Sequence, residues 1–187
     1  MKGASVALEQ GGESWNSILE RARQGERQAF DALIALYEEQ VLKTALYLTR
    51  NLHDAQDVAQ EVYIKIFRGL NRIEDTQKMR SWVHRITVNA ARDHLRRRRF
   101  WSPLKGIFRT APAPDPVHGA QLRNRLAAAL ARLSFNERAC FILSELHEME
   151  SCQVAEILGC RAVTVRGYLH SARKKLRQHL ESLREET

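Results

Sequence analysis

Six arginines crowd the twenty residues 81–100, and their spacing predicts a helix that binds phosphate. At 3.6 residues per turn, Trp82, Ile86 and Ala90 fall near one stripe that can dock on the rest of the chain. The arginines occupy the remaining surface, where Asp93 is the single acid. Planar guanidinium groups suit phosphate, and the commonest polymer of phosphates is nucleic acid. The alternative is a solvated basic helix without a partner, which four adjacent arginines disfavour because they repel one another.

A second basic cluster follows a helix-turn-helix pattern near the C-terminus. Ala155 stands where two helices would approach closely, Gly159 stands at the turn, and Val165 would pack the second helix onto the first. A generic helical hairpin is the alternative. In a helix-turn-helix, the start of the second helix enters the major groove and flanking cations hold phosphates. The expected base-reading residues are Thr164, Arg166, Gly167 and His170, and the expected phosphate contacts are Arg173, Lys174 and Arg177.

Carboxylates are concentrated on another predicted helix, at residues 54–69. Asp54, Asp57 and Glu61 are spaced three and four apart, so they share a face opposite an apolar stripe, and Gln60 lies beside them. An acidic face on a basic chain suits a protein partner. The alternative for the two aspartates is that they only cap the helix, with Asp54 as the N-cap residue.

Overall composition narrows the class of protein. The chain has 187 residues and a formal net charge of +8, which favours a polyanionic partner, either nucleic acid or an anionic membrane. No stretch approaches the ~20 apolar residues of a membrane span, and the cationic helices lack a broad apolar face for insertion. The N-terminus lacks the apolar core of a secretory signal. We therefore expect a cytoplasmic protein without direct membrane insertion.

Catalysis and metal binding are not expected. The seven histidines are scattered without a nucleophile–base spacing, and no glycine-rich phosphate loop is present. Cys140, His147, Cys152 and Cys160 are separated by seven, five and eight residues, which does not match a zinc finger or ribbon. The odd number of cysteines disfavours a disulfide framework. The sequence therefore predicts no enzyme, cofactor, metal or small-molecule substrate, and it leaves a sensing role for the cysteines open.

The elements that position these residues are predicted to be helices in two small four-helix domains. All four prolines lie between residues 103 and 116, which predicts a non-helical tether at 101–119. The first domain would span 14–100, after a disordered segment 1–13, and the second would span 120–187. The predicted helices are 14–23, 27–49, 54–69, 81–100, 120–133 and one from the capping box at 134–137 through Leu146, followed by the two helix-turn-helix helices. Residues 71–80 read as a polar connector.

The two domains together resemble a known family. The run DAQDVAQE at 54–61 looks like the polymerase-binding helix of bacterial sigma factors. The run SWxxRIxxNxxxDHLRR at 81–97 looks like the helix that melts and reads the promoter −10 element. The C-terminal helix-turn-helix is similar to the domain that reads the −35 element. The pattern matches the two-domain, extracytoplasmic-function sigma factors and covers about residues 15–182.

The resemblance implies a role for each cluster. The acidic face would bind core RNA polymerase, and the arginine helix would act on −10 promoter DNA. The −10 residues would be Trp82, Arg85, Asn89, Arg92, Arg96 and Arg97, although Trp82 also suits a core anchor. The connector 71–80 would form a pocket for an unstacked base. The resemblance also implies an anti-sigma factor that covers the polymerase-binding surfaces.

The resemblance also sets the distance that the tether would have to span. The promoter elements lie about 17 base pairs apart by this resemblance, or roughly 58 Å at about 3.4 Å per pair. A nearly extended tether of nineteen residues reaches about 60 Å.

The alternative function is a helix-turn-helix transcription regulator that binds duplex DNA without being a polymerase subunit. Such a regulator would have no use for the acidic face at 54–61.

Overall fold

The computed structural model describes residues 15–73, 76–101 and 126–185, and all regular structure within them is helical. The predicted disordered segment 1–13, most of the proline-containing tether and the first part of the helix predicted at 120–133 lie outside the described residues. The fold is all-α, as predicted, with two small helical domains.

The helices are labelled here in chain order. In the N-terminal half they are α1 Trp15–Arg23, α2 Arg27–Thr49, α3 Leu52–Gly69 and α4 Thr76–Trp101, with a 3₁₀ turn at Leu70–Arg72 after α3. In the C-terminal half they are α5 at 126–131, α6 Phe135–Phe141 continued by a π-helical turn Ile142–Leu146, α7 Ser151–Leu158 and α8 Ala162–Glu185.

The N-terminal half is built around α2, which packs against α1, α3 and α4. Leu33, Val41 and Leu48 recur along one face of α2 and are fully buried. The predicted stripe of α3, from Val58 to Ile66, is buried against it. The bounds predicted for α2 agree with the structure.

The start of α3 differs from the prediction. The helix begins at Leu52, and its N-cap is Asn51, whose side-chain oxygen accepts a hydrogen bond from the Asp54 backbone N–H at 3.0 Å. Asp54 therefore lies within the first turn and is not the N-cap residue. The start was predicted too late because Leu52 and His53 precede the recognisable apolar stripe. Asparagine is as favourable an N-cap residue as aspartate, so residue type alone did not distinguish Asn51 from Asp54.

The start of α4 was also predicted too late. The helix begins at Thr76, so the connector expected at 71–80 contains a 3₁₀ turn and the first helical turn of α4. Met79 lies in that turn and is fully buried, which anchors it on the core. A single apolar residue among polar neighbours is too weak a periodic signal to reveal a helix.

The C-terminal half contains the predicted helix-turn-helix. Ser134 and Glu137 form the expected capping box at the start of α6. The helix predicted to run to Leu146 instead widens into the π-helical turn. Gly159 ends α7 in the left-handed conformation at φ 66°, as a turn glycine should. Val165 is fully buried, which agrees with its predicted packing role.

The two halves pack against each other. Helix α4 contacts α7, and α2 contacts α6, so buried side chains of both halves form one continuous apolar core. The sequence analysis treated the halves as separate bodies on a tether and did not foresee this contact. The arginine helix therefore lies between its own domain and the first helix of the helix-turn-helix.

Candidate nucleic-acid interface

The basic end of α4 is held along α3 by carboxylates. Asp54 is only 8% exposed, and its two oxygens meet His94 Nε2 at 3.1 Å and the Arg98 guanidinium. Arg97, one residue before Arg98, donates to Glu61 Oε2 at 2.8 Å. These contacts join two of the clusters that the sequence analysis singled out separately.

The predicted acidic face is consequently not uniform. Asp54 points towards α4, whereas Asp57 and Gln60 are exposed. Glu61 is partly exposed and bridges Lys65 on its own helix to Arg97 on α4. The spacing correctly predicted that these residues lie along one side of α3, but a helix period cannot tell which members of a face a neighbouring helix covers.

Glu61 is the most strongly paired of the accessible acids on this face. Partial burial raises the pKa of its carboxyl, but hydrogen bonds from Lys65 and Arg97 and the charges of both side chains lower it further, so the net shift is downward. Glu61 is therefore ionised in the neutral range. It can exchange Arg97 for a cation on another molecule without first losing a proton.

Trp82 is fixed against the end of α3. A Cβ atom added at Gly69 would lie 2.7 Å from Trp82 Cζ2, so the indole rests directly on the glycine. The ring is half-buried and belongs to the edge of the core. This contact favours the anchoring role that the sequence analysis weighed against a DNA contact.

The other −10 candidates lie in two different environments. Arg85, Arg96 and Arg97 are exposed, and Arg96 also lies 3.3 Å from Asp93. Asn89 and Arg92 are half-buried and bonded to each other, with Arg92 Nη1 donating to Asn89 Oδ1 at 3.2 Å. The Arg92 guanidinium also lies 5.2 Å from the centroid of the Phe135 ring on α6, a cation–π contact.

The start of α8 presents most of the predicted base-reading residues to solvent. Arg166, Gly167 and His170 are exposed, whereas Thr164 is half-buried and its backbone N–H bonds to the Arg161 carbonyl. A Cβ atom at Gly167 would meet nothing within 4 Å. The glycine is therefore not required by packing.

The predicted phosphate contacts farther along α8 are also exposed. Lys174 and Arg177 face solvent, and Arg173 is bonded to Glu145, with donor–acceptor distances of 3.2 and 2.6 Å from Nε and Nη2 to Oε1. An exposed pair of this kind contributes at most about 1 kcal/mol, so a phosphate can replace the carboxylate.

A positioning group that the sequence analysis missed lies beneath α8. Lys175 Nζ lies 2.8 Å from both carboxylate oxygens of Glu137, and Ser171 donates to the same carboxylate. Burial raises the pKa of Glu137, but these bonds and those from Ser134 outweigh it and lower the pKa to about 2. The Glu137 carboxylate therefore links α6 to α8. Only the capping-box role of Glu137 was visible in the sequence.

The three cysteines lie in different environments. Cys140 is buried, and burial raises the pKa of its thiol to about 12, whereas Cys152 is exposed. Within 15–73, 76–101 and 126–185, no group of three or more potential ligands could hold a metal ion. No helix in those ranges is long and apolar enough to cross a membrane.

Comparison with known protein families agrees with this arrangement. Residues 33–100 match the model of Sigma-70 region 2, and residues 123–176 match the model of Sigma-70 region 4. The chain belongs to the sigma-70 family. The order of the two regions, with only a short segment between them, and the chain's relatives assign it to the extracytoplasmic-function group.

Several curated sigma factors are similar over most of this chain. The ECF RNA polymerase sigma factor SigE of Mycolicibacterium smegmatis is 31% identical over 166 residues, which cover 85% of this chain and 64% of that protein. The RNA polymerase sigma-H factor of Pseudomonas aeruginosa is 27% identical, with 89% and 93% covered. The ECF sigma factor SigW of Bacillus subtilis is 23% identical, with 88% and 96% covered.

Two solved structures share the fold. The sigma factor RpoE of Bartonella quintana, crystallised with the anti-sigma factor NepR, matches with a TM-score of 0.72 and 23% identity over 81% of this chain and 96% of that one. CnrH, in complex with the cytosolic domain of CnrY, matches with a TM-score of 0.68 and 23% identity over 88% and 96%. At this identity the likeness concerns the fold alone.

Proposed function

We propose that this sigma-70 family member is a dissociable specificity subunit that brings core RNA polymerase to promoters and opens their −10 element. Three features of one chain support this proposal: an α3 face of polar and acidic residues, a cationic helix α4 beside it, and a helix-turn-helix. A regulator that only binds duplex DNA needs the last of these features and neither of the others. The protein acts in the cytoplasm by binding, not by catalysis.

Core polymerase binds α3 in this proposal. Asp57, Gln60 and Glu61 supply the polar contacts, and Asp54 orients the neighbouring helix α4 from within. Ile64 and Phe67 are 51% and 61% exposed on the same helix, and Phe67 meets Phe30 edge-to-face at 5.2 Å. Protein interfaces combine buried aromatic anchors with a polar rim, and these residues offer both.

Promoter DNA binds two surfaces. At the −10 element, Arg85, Arg96 and Arg97 contact phosphates, Asn89 and Arg92 face the opened bases, and Trp82 holds α4 in place. At the −35 element, the start of α8 enters the major groove. Its base-reading residues are Thr164, Arg166 and His170, with Gly167 between them, and its phosphate contacts are Arg173, Lys174 and Arg177.

This division of labour corresponds to domains at 14–100 and 120–187, joined by the tether at 101–119. An anti-sigma factor restrains the free subunit in this proposal, because both structural relatives described above are in complex with a second protein and one of those proteins is an anti-sigma factor. Such a partner acts by covering the α3 face that polymerase would use.

The test is reconstituted transcription. The purified chain is mixed with bacterial core polymerase and a genomic promoter library, and the transcripts are sequenced. We expect specific initiation above core alone, and we expect Glu61→Lys to abolish both initiation and co-purification with core because it reverses the charge of the interface. Glu156→Lys, an exposed charge reversal on α7, is the matched control. No specific initiation would exclude the sigma function, and co-purification of Glu61→Lys with core would remove α3 as the polymerase face.

A further inference from the structure

Two buried histidines lie in the seam between the halves. His84 on α4 is 2% exposed, His147 after the π-helical turn is 7% exposed, and their ring centroids are 4.3 Å apart. His147 Nε2 lies 2.7 Å from the Thr44 hydroxyl on α2, and the His147 carbonyl accepts a hydrogen bond from Arg80 on α4. One residue of the C-terminal half is thus held by two helices of the N-terminal half.

The same seam covers groups that the proposed function assigns to −10 DNA. Arg92 stacks on Phe135 of the C-terminal half and is bonded to Asn89, so neither side chain is free for an opened base. The halves share one apolar core, whereas the promoter elements would be roughly 58 Å apart at about 3.4 Å per base pair. The closed form seen here therefore differs from the form that spans a promoter.

The electrostatic surroundings of the pair disfavour an added proton. Burial, followed by the charges of His147 and Arg80, lowers the pKa of His84 to about 3. Burial, followed by Arg80 and Lys43, lowers the pKa of His147 to about 4. From α2, Tyr37 also lies near Arg80 and stays neutral, because burial raises its pKa to about 12. Both charged groups that act on the imidazoles are cations.

Within the described part of the chain, the surroundings of His84 also offer no hydrogen-bond acceptor for the proton that a charged ring would carry on Nε2. His84 Nε2 is buried and has no hydrogen-bond partner among the described residues. The His84 ring is stable in the seam only while it is neutral. Burying an unpaired charge costs far more free energy than burying an unpaired neutral nitrogen. Opening the seam would let water reach both rings.

We propose that the His84–His147 seam is a proton-sensitive latch that keeps this chain closed, with Asn89 and Arg92 covered, and that releases the two halves on acidification. The role of Asn89 and Arg92 after the seam opens rests on the proposed function, whereas the opening of the seam does not depend on it. The latch makes the closed form a property of this chain alone, before any protein partner binds.

The direction follows from proton binding. The closed form binds fewer protons than the open form, in which exposed imidazoles regain a pKa near 6.5. Closure is therefore fully favoured above about pH 6.5 and weakens as the pH falls below it. Between pH 7.5 and 5.5, each histidine that becomes exposed shifts the open-to-closed ratio by about tenfold, and two histidines shift it by about a hundredfold.

Small-angle X-ray scattering of the full free chain at pH 7.5 and pH 5.5, at constant ionic strength, tests the latch. We expect a larger radius of gyration at pH 5.5 for the wild type. The double variant His84→Gln/His147→Gln should have the same radius at both pH values, because glutamine does not titrate. His53→Gln is the control, since the His53 side chain on α3 is 83% exposed, and it should respond as the wild type does.

Three outcomes would overturn the latch: a wild type that is closed at both pH values, a wild type that is open at both, or a double variant that opens as the wild type does. If circular dichroism finds the double variant unfolded, NMR titration of the wild-type imidazoles replaces it. Titration of His84 and His147 in step with the increase in radius supports the latch, whereas imidazoles that stay neutral at pH 5.5, or that titrate near 6.5 while the chain stays closed, reject it. Because no polymerase is present, these results are independent of the transcription test.

Discussion

Helices α4 and α8, the two proposed to bind DNA, differ in which of their cations are already engaged by the protein. On α4, the engaged groups include those proposed to meet DNA: Arg97 is paired with Glu61, and Arg92 rests on Phe135. On α8, the ion pairs lie farther along the helix than the proposed base-reading residues, and Arg166, one of those residues, is exposed. Helix α8 is therefore held by residues other than its proposed base-reading ones, whereas the proposed function requires α4 to exchange protein partners for DNA.

This difference has a physical consequence for the order of binding. Surface ion pairs such as Arg97 with Glu61 contribute only about 0–1 kcal/mol, so a phosphate can displace the carboxylate at little cost. A buried contact with continuous apolar packing, such as the seam around His84, is far more costly to open. Under the proposed function, the −35 surface is accessible in the closed form, while the −10 surface requires the halves to separate.

The largest expected effect distinguishes two aspartates that the sequence made equivalent. Asp54→Ala removes a buried carboxylate and leaves His94 and Arg98 without their shared partner. We expect the free energy of unfolding to fall by about 2–3 kcal/mol, because a buried ionic contact is broken from one side. Urea denaturation followed by circular dichroism measures the change.

The matched control is Asp57→Ala, one turn along the same helix. The Asp57 side chain is 47% exposed and lies 4.0 Å from an exposed histidine, so its loss should change the free energy by no more than about 0.5 kcal/mol. Equal effects from the two substitutions would mean that α4 is not anchored on Asp54 in solution.

The second prediction concerns the group that holds α8. Glu137→Gln removes the charge that binds Lys175 and Ser171, and we expect a loss of about 2 kcal/mol at pH 7. The folded pKa of Glu137, about 2, lies below its ordinary 4.5, so its contribution is complete above pH 4.5 and declines as the pH falls towards 2. The difference between variant and wild type in urea denaturation should therefore shrink between pH 5 and pH 3.

Glu145→Gln is the control for that prediction. Glu145 also pairs with a cation of α8, but its side chain is 41% exposed, so its removal should cost less than about 1 kcal/mol. A pH-independent difference for Glu137→Gln would show that the carboxylate is not ionised in the folded protein at low pH, which would remove it as the fixed link between α6 and α8.

Sequence periodicity predicted the helices well where apolar residues repeat. The bounds of α2 agreed with the structure because its face repeats for six turns, and the turn at Gly159 was recognisable because positive φ favours glycine. The starts of α3 and α4 were missed where Leu52 and Met79 stand alone among polar neighbours. Short-range pattern therefore supplied the elements but not their first turns.

Contacts between distant residues could not be predicted in the same way. Asp54 pairs with Arg98 across forty-four positions, and Thr44 meets His147 across one hundred and three. A single sequence contains no signal for which exposed face of one helix will cover another. The sequence supplied the residues proposed for the candidate sites, whereas the contacts among them depend on the packing of α4 between the two halves.

The smallest predicted effects compare two glycines, Gly167 within α8 and Gly69 at the end of α3 beneath Trp82 of α4. Gly167→Ala places a methyl group in open space within α8, so helix propensity should raise the free energy of unfolding by about 1 kcal/mol. Gly69→Ala places a methyl group 2.7 Å from the half-buried Trp82 ring and should lower it by about 1 kcal/mol, because the indole must move. Thermal denaturation of both variants measures the two signs. Stabilisation by Gly69→Ala would mean that Trp82 does not rest on α3 in solution, and it would return the indole to the list of DNA contacts.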